Sequence, residues 1–190
     1  MPLTKLDTTP ALIVIDLQKG IVGMPTVHPI SEIIDHVAEL ARAFRERGLP
    51  VVLVNVTGGA PGRTDVQRPK LSPSTDWAEL VPELEQGPND LTVTKQRWGA
   101  FLGTSLDDLL RQSGVTQVIM TGVATSIGVE STARSAYDLG YNVAFVIDAM
   151  TDRDADAHRN SVEKIFPRMG EIAKTSDVIK LLKEIPIRSK

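Results

Sequence analysis

One recurring pattern constrains this chain more than any other. An amphipathic stretch ends at a glycine, and within about three residues a short apolar run rich in β-branched residues begins, as where a helix passes into a buried strand. It occurs at Gly48 before the run 51–56, at Gly114 before 118–120 and at Gly140 before 143–147. Repeated in this way, it predicts alternating α/β structure. The full set of expected strands is 11–16, 51–56, 91–94, 117–121, 142–148 and a short one near 171–174. Continuous apolar runs suit strands buried on both faces of a parallel sheet, and right-handed crossovers then give a doubly wound, Rossmann-like sheet with helices on both faces.

The first long helix is the clearest. Ile33, Val37, Leu40, Ala41 and Phe44 repeat at helical spacing, with Ser31 as N-cap and Gly48 just past the end. Further helices are expected from Thr104 or Ser105 to Gly114, over 127–139, over 154–166 and from Ser176 onward. The stretch 57–90 breaks the pattern, because it holds Pro61, Pro69, Pro73, Pro82 and Pro88 with little periodicity. Trp77, Leu80, Val81 and Leu84 predict one short packed helix within it, and a lid or an oligomer contact is the expected role.

Composition sets the limits. With 190 residues, 42% of them hydrophobic and 24% charged, the chain fits one domain spanning 1–190. Its 21 basic and 24 acidic residues give a net charge of -3, which argues against nucleic acid or an anionic membrane as partner. Apolar stretches fall far short of the roughly 20 residues that span a bilayer. The first residues, Met-Pro-Leu-Thr-Lys-Leu-Asp, lack the apolar core of a signal peptide, so a cytoplasmic protein is expected. There is no cysteine, which excludes disulfides, thiolate metal sites and a thiol nucleophile together.

In an open α/β sheet, ligands bind beyond the carboxyl ends of the strands, near the point where strand order reverses. Three segments qualify. Asp16, followed by Leu17 and Gln18, ends the first strand directly after Ala-Leu-Ile-Val-Ile, where a charge needs a partner or a task. Lys95 ends the third and can neutralise Asp16 or an anionic substrate. After the fourth strand, Thr121-Gly-Val-Ala-Thr-Ser-Ile-Gly128 is a small-residue turn into a helix, whose N–H groups can face an anion. It matches neither the dinucleotide fingerprint nor a Walker A loop.

Trp98 and Phe101 are candidate pocket walls, while Gln18, Thr125 and Ser126 are candidate substrate contacts; Gln18 can equally cap its loop. Glu130 and Arg134 are spaced for a helical ion pair. His28, His36 and His158 lie far apart in sequence without metal-ligand spacing, and His36 is expected at the surface, so neither metal nor cofactor is predicted. A serine triad lacks its G-x-S-x-G elbow.

Together the three segments resemble the isochorismatase-like hydrolase superfamily, also called the cysteine hydrolases. The resemblance rests on Ala-Leu-Ile-Val-Ile-Asp16-Leu-Gln18, on Lys95-Gln-Arg-Trp98-Gly-Ala-Phe101-Leu-Gly-Thr104, and on Thr121 through Gly128 continuing as Val-Glu130-Ser-Thr132-Ala-Arg134. It implies a six-stranded parallel sheet of order 3-2-1-4-5-6. It also implies a small-molecule substrate, a homo-oligomer, and a catalytic set of Asp, Lys and Cys at positions 16, 95 and 128.

Here the third position is Gly128, which removes the thiol mechanism of the amidases in that family. Isochorismatases of the same family also carry glycine there and cleave a vinyl ether by acid chemistry from the Asp. The resemblance further implies a cis peptide between Val123 and Ala124, with the N–H groups of Ala124 and Gly128 facing the pocket. The expected function is therefore a thiol-free hydrolase of a small anionic molecule with Asp16 as general acid or base. The alternative is a catalytically retired binding or scaffold protein of the same fold; a stabilising Asp16→Ala would instead mark a functional burden at Asp16.

Overall fold

The computed structural model describes residues 3–65 and 76–187. Six strands form one all-parallel sheet in the order β3-β2-β1-β4-β5-β6. They are β1 (Pro10–Ile15), β2 (Val51–Val56), β3 (Leu91–Lys95), β4 (Gln117–Val123), β5 (Asn142–Thr151) and β6 (Glu171–Ala173). The central strand β1 pairs with β2 from Leu12↔Val51 to Ile15↔Val54, and with β4 from Pro10↔Gln117 to Ile15↔Gly122. The apolar run in β1 is continuous because both of its faces are covered.

Leu12 and Val14 join one core layer with Ile33, Val37, Leu40 and Phe44 of α2 (Ile30–Glu46) and Val178 and Leu182 of α6 (Thr175–Leu182). Ala11, Ile13 and Ile15 join the other, with Leu106 and Leu110 of α3 (Leu106–Gln112) and Ala133 and Ala136 of α4 (Glu130–Asp138). This alternation of helices between the two faces is the expected doubly wound arrangement, and strand order reverses beside β1.

Element ends differ from the sequence reading in instructive ways. The α2 helix starts at Ile30 with Pro29 as N-cap, not at Ser31. The fourth and fifth strands of the reading end too early: β4 runs to Val123, and β5 continues past Asp148 because its register shifts beyond Met120 and re-forms at Gly122↔Met150 and Val123↔Thr151. Asp148 is satisfied within the sheet layer, accepting from the Thr175 N–H and hydroxyl at 2.8 and 3.0 Å. The helix expected over 127–139 begins as a π turn, Thr125–Val129, before α4. That expected over 154–166 divides into α5 (Ala155–Asn160), a π turn Ser161–Ile165 and a 3-10 turn Phe166–Arg168, where Pro167 has no N–H to give.

A four-residue helix missed in the sequence, α1 (Lys19–Val22), follows β1. The described end of the proline-rich stretch lies across it. Lys19 and Gly20 donate backbone hydrogen bonds to Glu79 and Trp77, and Val81 donates to Leu17. A side chain at Gly20 would run into the Trp77 indole, so glycine is required for this close approach. The short helix expected there is a 3-10 turn, Pro82–Leu84, with Leu84 buried; Pro69 and Pro73 lie outside the described residues. Among the described residues no helix is long and apolar enough to cross a membrane.

Candidate active site

Strand ends bring the first two predicted residues together. Asp16 leaves β1 with φ +54°, a left-handed conformation that aspartate tolerates better than most residues. Lys95 ends β3, two strands away, and its side chain crosses the end of β2 to place Nζ 2.7 Å from Asp16 Oδ2. The same ammonium donates to the Arg97 carbonyl at 3.2 Å. Both residues are buried, Lys95 at 1% and Asp16 at 6% exposure, so the pair is shielded from solvent.

The two carboxylate oxygens differ. Oδ2 holds Lys95, whereas Oδ1 is buried with no hydrogen-bond partner among the described residues. Burial lifts the Asp16 carboxyl from 3.8 to about 6, even though the charge and hydrogen bond of Lys95 pull the other way.

Gly128 lies against this pair. A Cβ built there would stand 3.3 Å from Asp16 Oδ2 and 2.9 Å from Ile15 Cγ2. The position that the family resemblance assigns to a thiol therefore adjoins the carboxylate, and here it is glycine. Gly128→Ala is expected to lower stability by about 1–3 kcal/mol, because the buried, β-branched Ile15 must give way. An unchanged denaturation midpoint would show that it moves freely.

The turn itself is held from several sides. Its entry is the cis peptide Val123–Ala124. The Ala124 N–H donates to no group among the described residues. The Ser126 N–H is committed to Asp152 Oδ2 at 2.7 Å, and the Thr125 hydroxyl pairs with His158 Nδ1 at 2.9 Å. From α4, Thr132 donates to the Gly128 carbonyl at 2.7 Å and accepts from the Ala100 N–H at 3.1 Å, tying the turn to the segment after Lys95.

Other expected contacts have different places. Gln18 is fully buried and spends its side chain on backbone: Oε1 accepts from the Val56 N–H at 2.7 Å, and Nε2 donates to the Val56 and Trp77 carbonyls. It pins the loop after β1, the capping role of the two foreseen. Phe101 is half-buried with its ring 6.0 Å from Tyr141, while Trp98 is 64% exposed. Glu130 and Arg134 form the expected pair at 2.8 Å, and Glu130 also accepts from Ser161.

The histidines require a correction. His28 and His158, distant in sequence, meet with ring centroids 4.8 Å apart, because the loop before α2 folds against α5. His36 is half-buried rather than at the surface, with Nδ1 2.7 Å from the Asp148 carbonyl. Among the described residues no three His, Cys, Asp or Glu side chains converge as a metal would need. Asp152 was missed in the sequence, and His158 and Thr132 were named there without these contacts, since nothing local marks a residue whose partner is another loop.

Comparison with known proteins agrees with this fold. The isochorismatase domain matches residues 10–177. The uncharacterized isochorismatase family protein YwoC of Bacillus subtilis (strain 168) is 38% identical over 180 residues, covering 91% of this chain and 94% of its own. The ureidoacrylate amidohydrolase RutB of Variovorax paradoxus (strain S110) is 29% identical, over 94% of this chain and 83% of its own. An isochorismatase family protein from Burkholderia thailandensis superposes with a TM-score of 0.89 at 43% identity, over 94% of this chain and 98% of that one. A buried Asp–Lys pair at the strand ends, on a sheet of this order, thus sits within sequence similarity that runs almost from end to end, and the chain belongs to the isochorismatase family.

Proposed function

We propose that this protein is a hydrolase of a small anionic molecule, working without a thiol nucleophile, in which Asp16 moves the proton and Lys95 balances the charge. The observation that carries this reading is the asymmetry of Asp16: Oδ2 is engaged by Lys95, and Oδ1 is buried without a partner. When Asp16 is protonated, the proton belongs on Oδ1, because Oδ2 already accepts from the ammonium. A carboxyl at about 6 keeps a useful protonated fraction near neutrality.

Protonation of an acid-labile bond such as a vinyl ether then proceeds from Oδ1. The carboxylate that forms is stabilised in place by Lys95, and water completes the cleavage. The free Ala124 N–H supplies a donor for negative charge on the substrate. Gly128 leaves room for substrate where a thiol would otherwise stand, so no covalent intermediate forms there. Exposed Trp98, Leu102 and Tyr137 support a homo-oligomer.

The test is a screen of wild type and Asp16→Asn against isochorismate, small amides and carbamoyl compounds. Pyruvate release by the wild type, lost in the variant, is the expected result. Binding without turnover of any compound would replace this reading with that of a retired binder. A covalent adduct on Ser126, seen by intact mass, would overturn the scheme without a covalent intermediate.

A further inference from the structure

Two imidazoles meet beside the turn that faces Asp16, and the reading above gives them no task. His158 lies on α5 and His28 in the loop before α2, with ring planes at 63° and centroids 4.8 Å apart. Each Nδ1 faces a completely buried threonine hydroxyl: Thr125 Oγ1 at 2.9 Å from His158, and Thr151 Oγ1 at 3.1 Å from His28.

The protonation states follow from counting donors and acceptors. A buried hydroxyl must give its hydrogen to an acceptor, and for Thr125 the partner at hand is His158 Nδ1. The Thr151 hydroxyl oxygen accepts the backbone N–H of His28 at 3.2 Å and pairs with the Nδ1 of the same residue, which fixes the His28 ring in place. The His158 ring then accepts at Nδ1 and carries its hydrogen on Nε2.

We infer that His158 is a positioning residue: as a neutral imidazole it fixes the Thr125–Val129 turn through Thr125, with His28 packed edge-on behind it, and protonating His158 releases that hold. A proton on Nδ1 turns the acceptor into a donor. The Thr125 hydroxyl must then rotate and leave its own hydrogen unpaired in a buried place, a loss comparable to a broken hydrogen bond.

The charges around His158 do little to offset this. His28 disfavours a positive charge on His158, and Asp152 favours one. Asp152 already accepts from the N–H groups of Ser126 and Arg153 at 2.7 Å each. Asp154 caps the helix that carries His158, accepting from Asp156 and Ala157, and Glu130 on α4 is committed to Arg134 and Ser161. Burial and His28 together hold the His158 imidazole below its ordinary value, so the hold persists through neutrality and is lost on acidification.

The turn carries the Ala124 donor and Gly128, so its position bears on the chemistry. That bearing rests on the Asp16 reading; the hold itself does not, and it can be tested without turnover. In the full-length labelled protein, the His158 imidazole and the backbone amides of 125–129 are followed by NMR from pH 8 to pH 5. In wild type the turn amides are expected to shift with the midpoint of His158, and protection of the Val129 amide to fall roughly tenfold across it.

His158→Gln offers a carbonyl that accepts the Thr125 hydroxyl and does not titrate, so its turn is expected to lose that step and keep only any step that belongs to Asp16. His28→Gln is expected to raise the His158 midpoint. Turn amides that stay still while His158 titrates would overturn the inference, as would the same midpoint persisting in His158→Gln. If His158→Gln does not fold, the wild-type midpoints decide alone, and non-coincident ones overturn it. A failed substrate screen would leave these midpoints where they are, so the two claims fail separately.

Discussion

Lys95→Met is expected to cost about 3–5 kcal/mol of stability near neutral pH, because it leaves a buried carboxylate without its counter-charge. The Lys95 side chain is 1% exposed and its ammonium is the charged partner of Asp16. Methionine fills much of the same volume, so packing contributes little to the loss. The double variant Asp16→Asn/Lys95→Met is expected to recover most of it, since no charge remains, and asparagine also accepts the left-handed backbone at this position. Asp16→Ala, conversely, strands the ammonium, so the geometry predicts destabilisation where a functional burden alone would predict a gain.

The pH dependence has a definite sign. A carboxyl at 3.8 when free and about 6 when folded binds its proton more readily in the folded chain. Its contribution is fully present below about 3.8 and is lost as pH rises through about 6, a difference of about 3 kcal/mol between the two limits. In Lys95→Met the penalty therefore shrinks on acidification, as Asp16 takes up its proton. Urea denaturation of both proteins at pH 4.5 and pH 7.5 reads this directly, and a penalty independent of pH would mean that Lys95 matters only as a packing element.

The second large effect concerns turnover. Asp16→Asn keeps the shape and one acceptor for Lys95 but cannot exchange a proton, so kcat/KM is expected to fall by about 10²–10⁴-fold. The comparison is made at a temperature where circular dichroism shows the variant folded. A loss confined to KM would instead give Asp16 a role in binding alone.

Much of the fold was legible because the relevant signals are local. Glycine-terminated amphipathic stretches and continuous β-branched runs mark α2, α3 and α4 and the strands that follow them, though not the four-residue α1, and the covering of both sheet faces follows from runs with no polar alternation. The candidate site was legible to the extent that its residues end strands: Asp16 closes an apolar run, and Lys95 closes another. That Lys95 can neutralise Asp16 was also an expectation, but the reach of its side chain across the end of β2 was not legible, because it depends on sheet order and twist. The extension of β5 was hidden for a related reason, as its last residues pair only after a register shift.

The ties on the turn were hidden most completely. Asp152 and His158 act on Ser126 and Thr125 through single hydrogen bonds between segments far apart in the chain, and no spacing rule marks such pairs. Gln18 was visible as a candidate but not decidable, since an amide at a strand end serves backbone or substrate equally well until its neighbours are placed.

The most direct test of the central claim is the pH profile of kcat/KM for the substrate that the screen identifies, recorded for wild type and Asp16→Asn. If Asp16 is the proton donor, the wild-type profile falls away above about 6, and the variant, slower throughout, lacks that limb. Wild type and variant sharing one profile at similar rates would contradict the account, because proton transfer would then lie with another group.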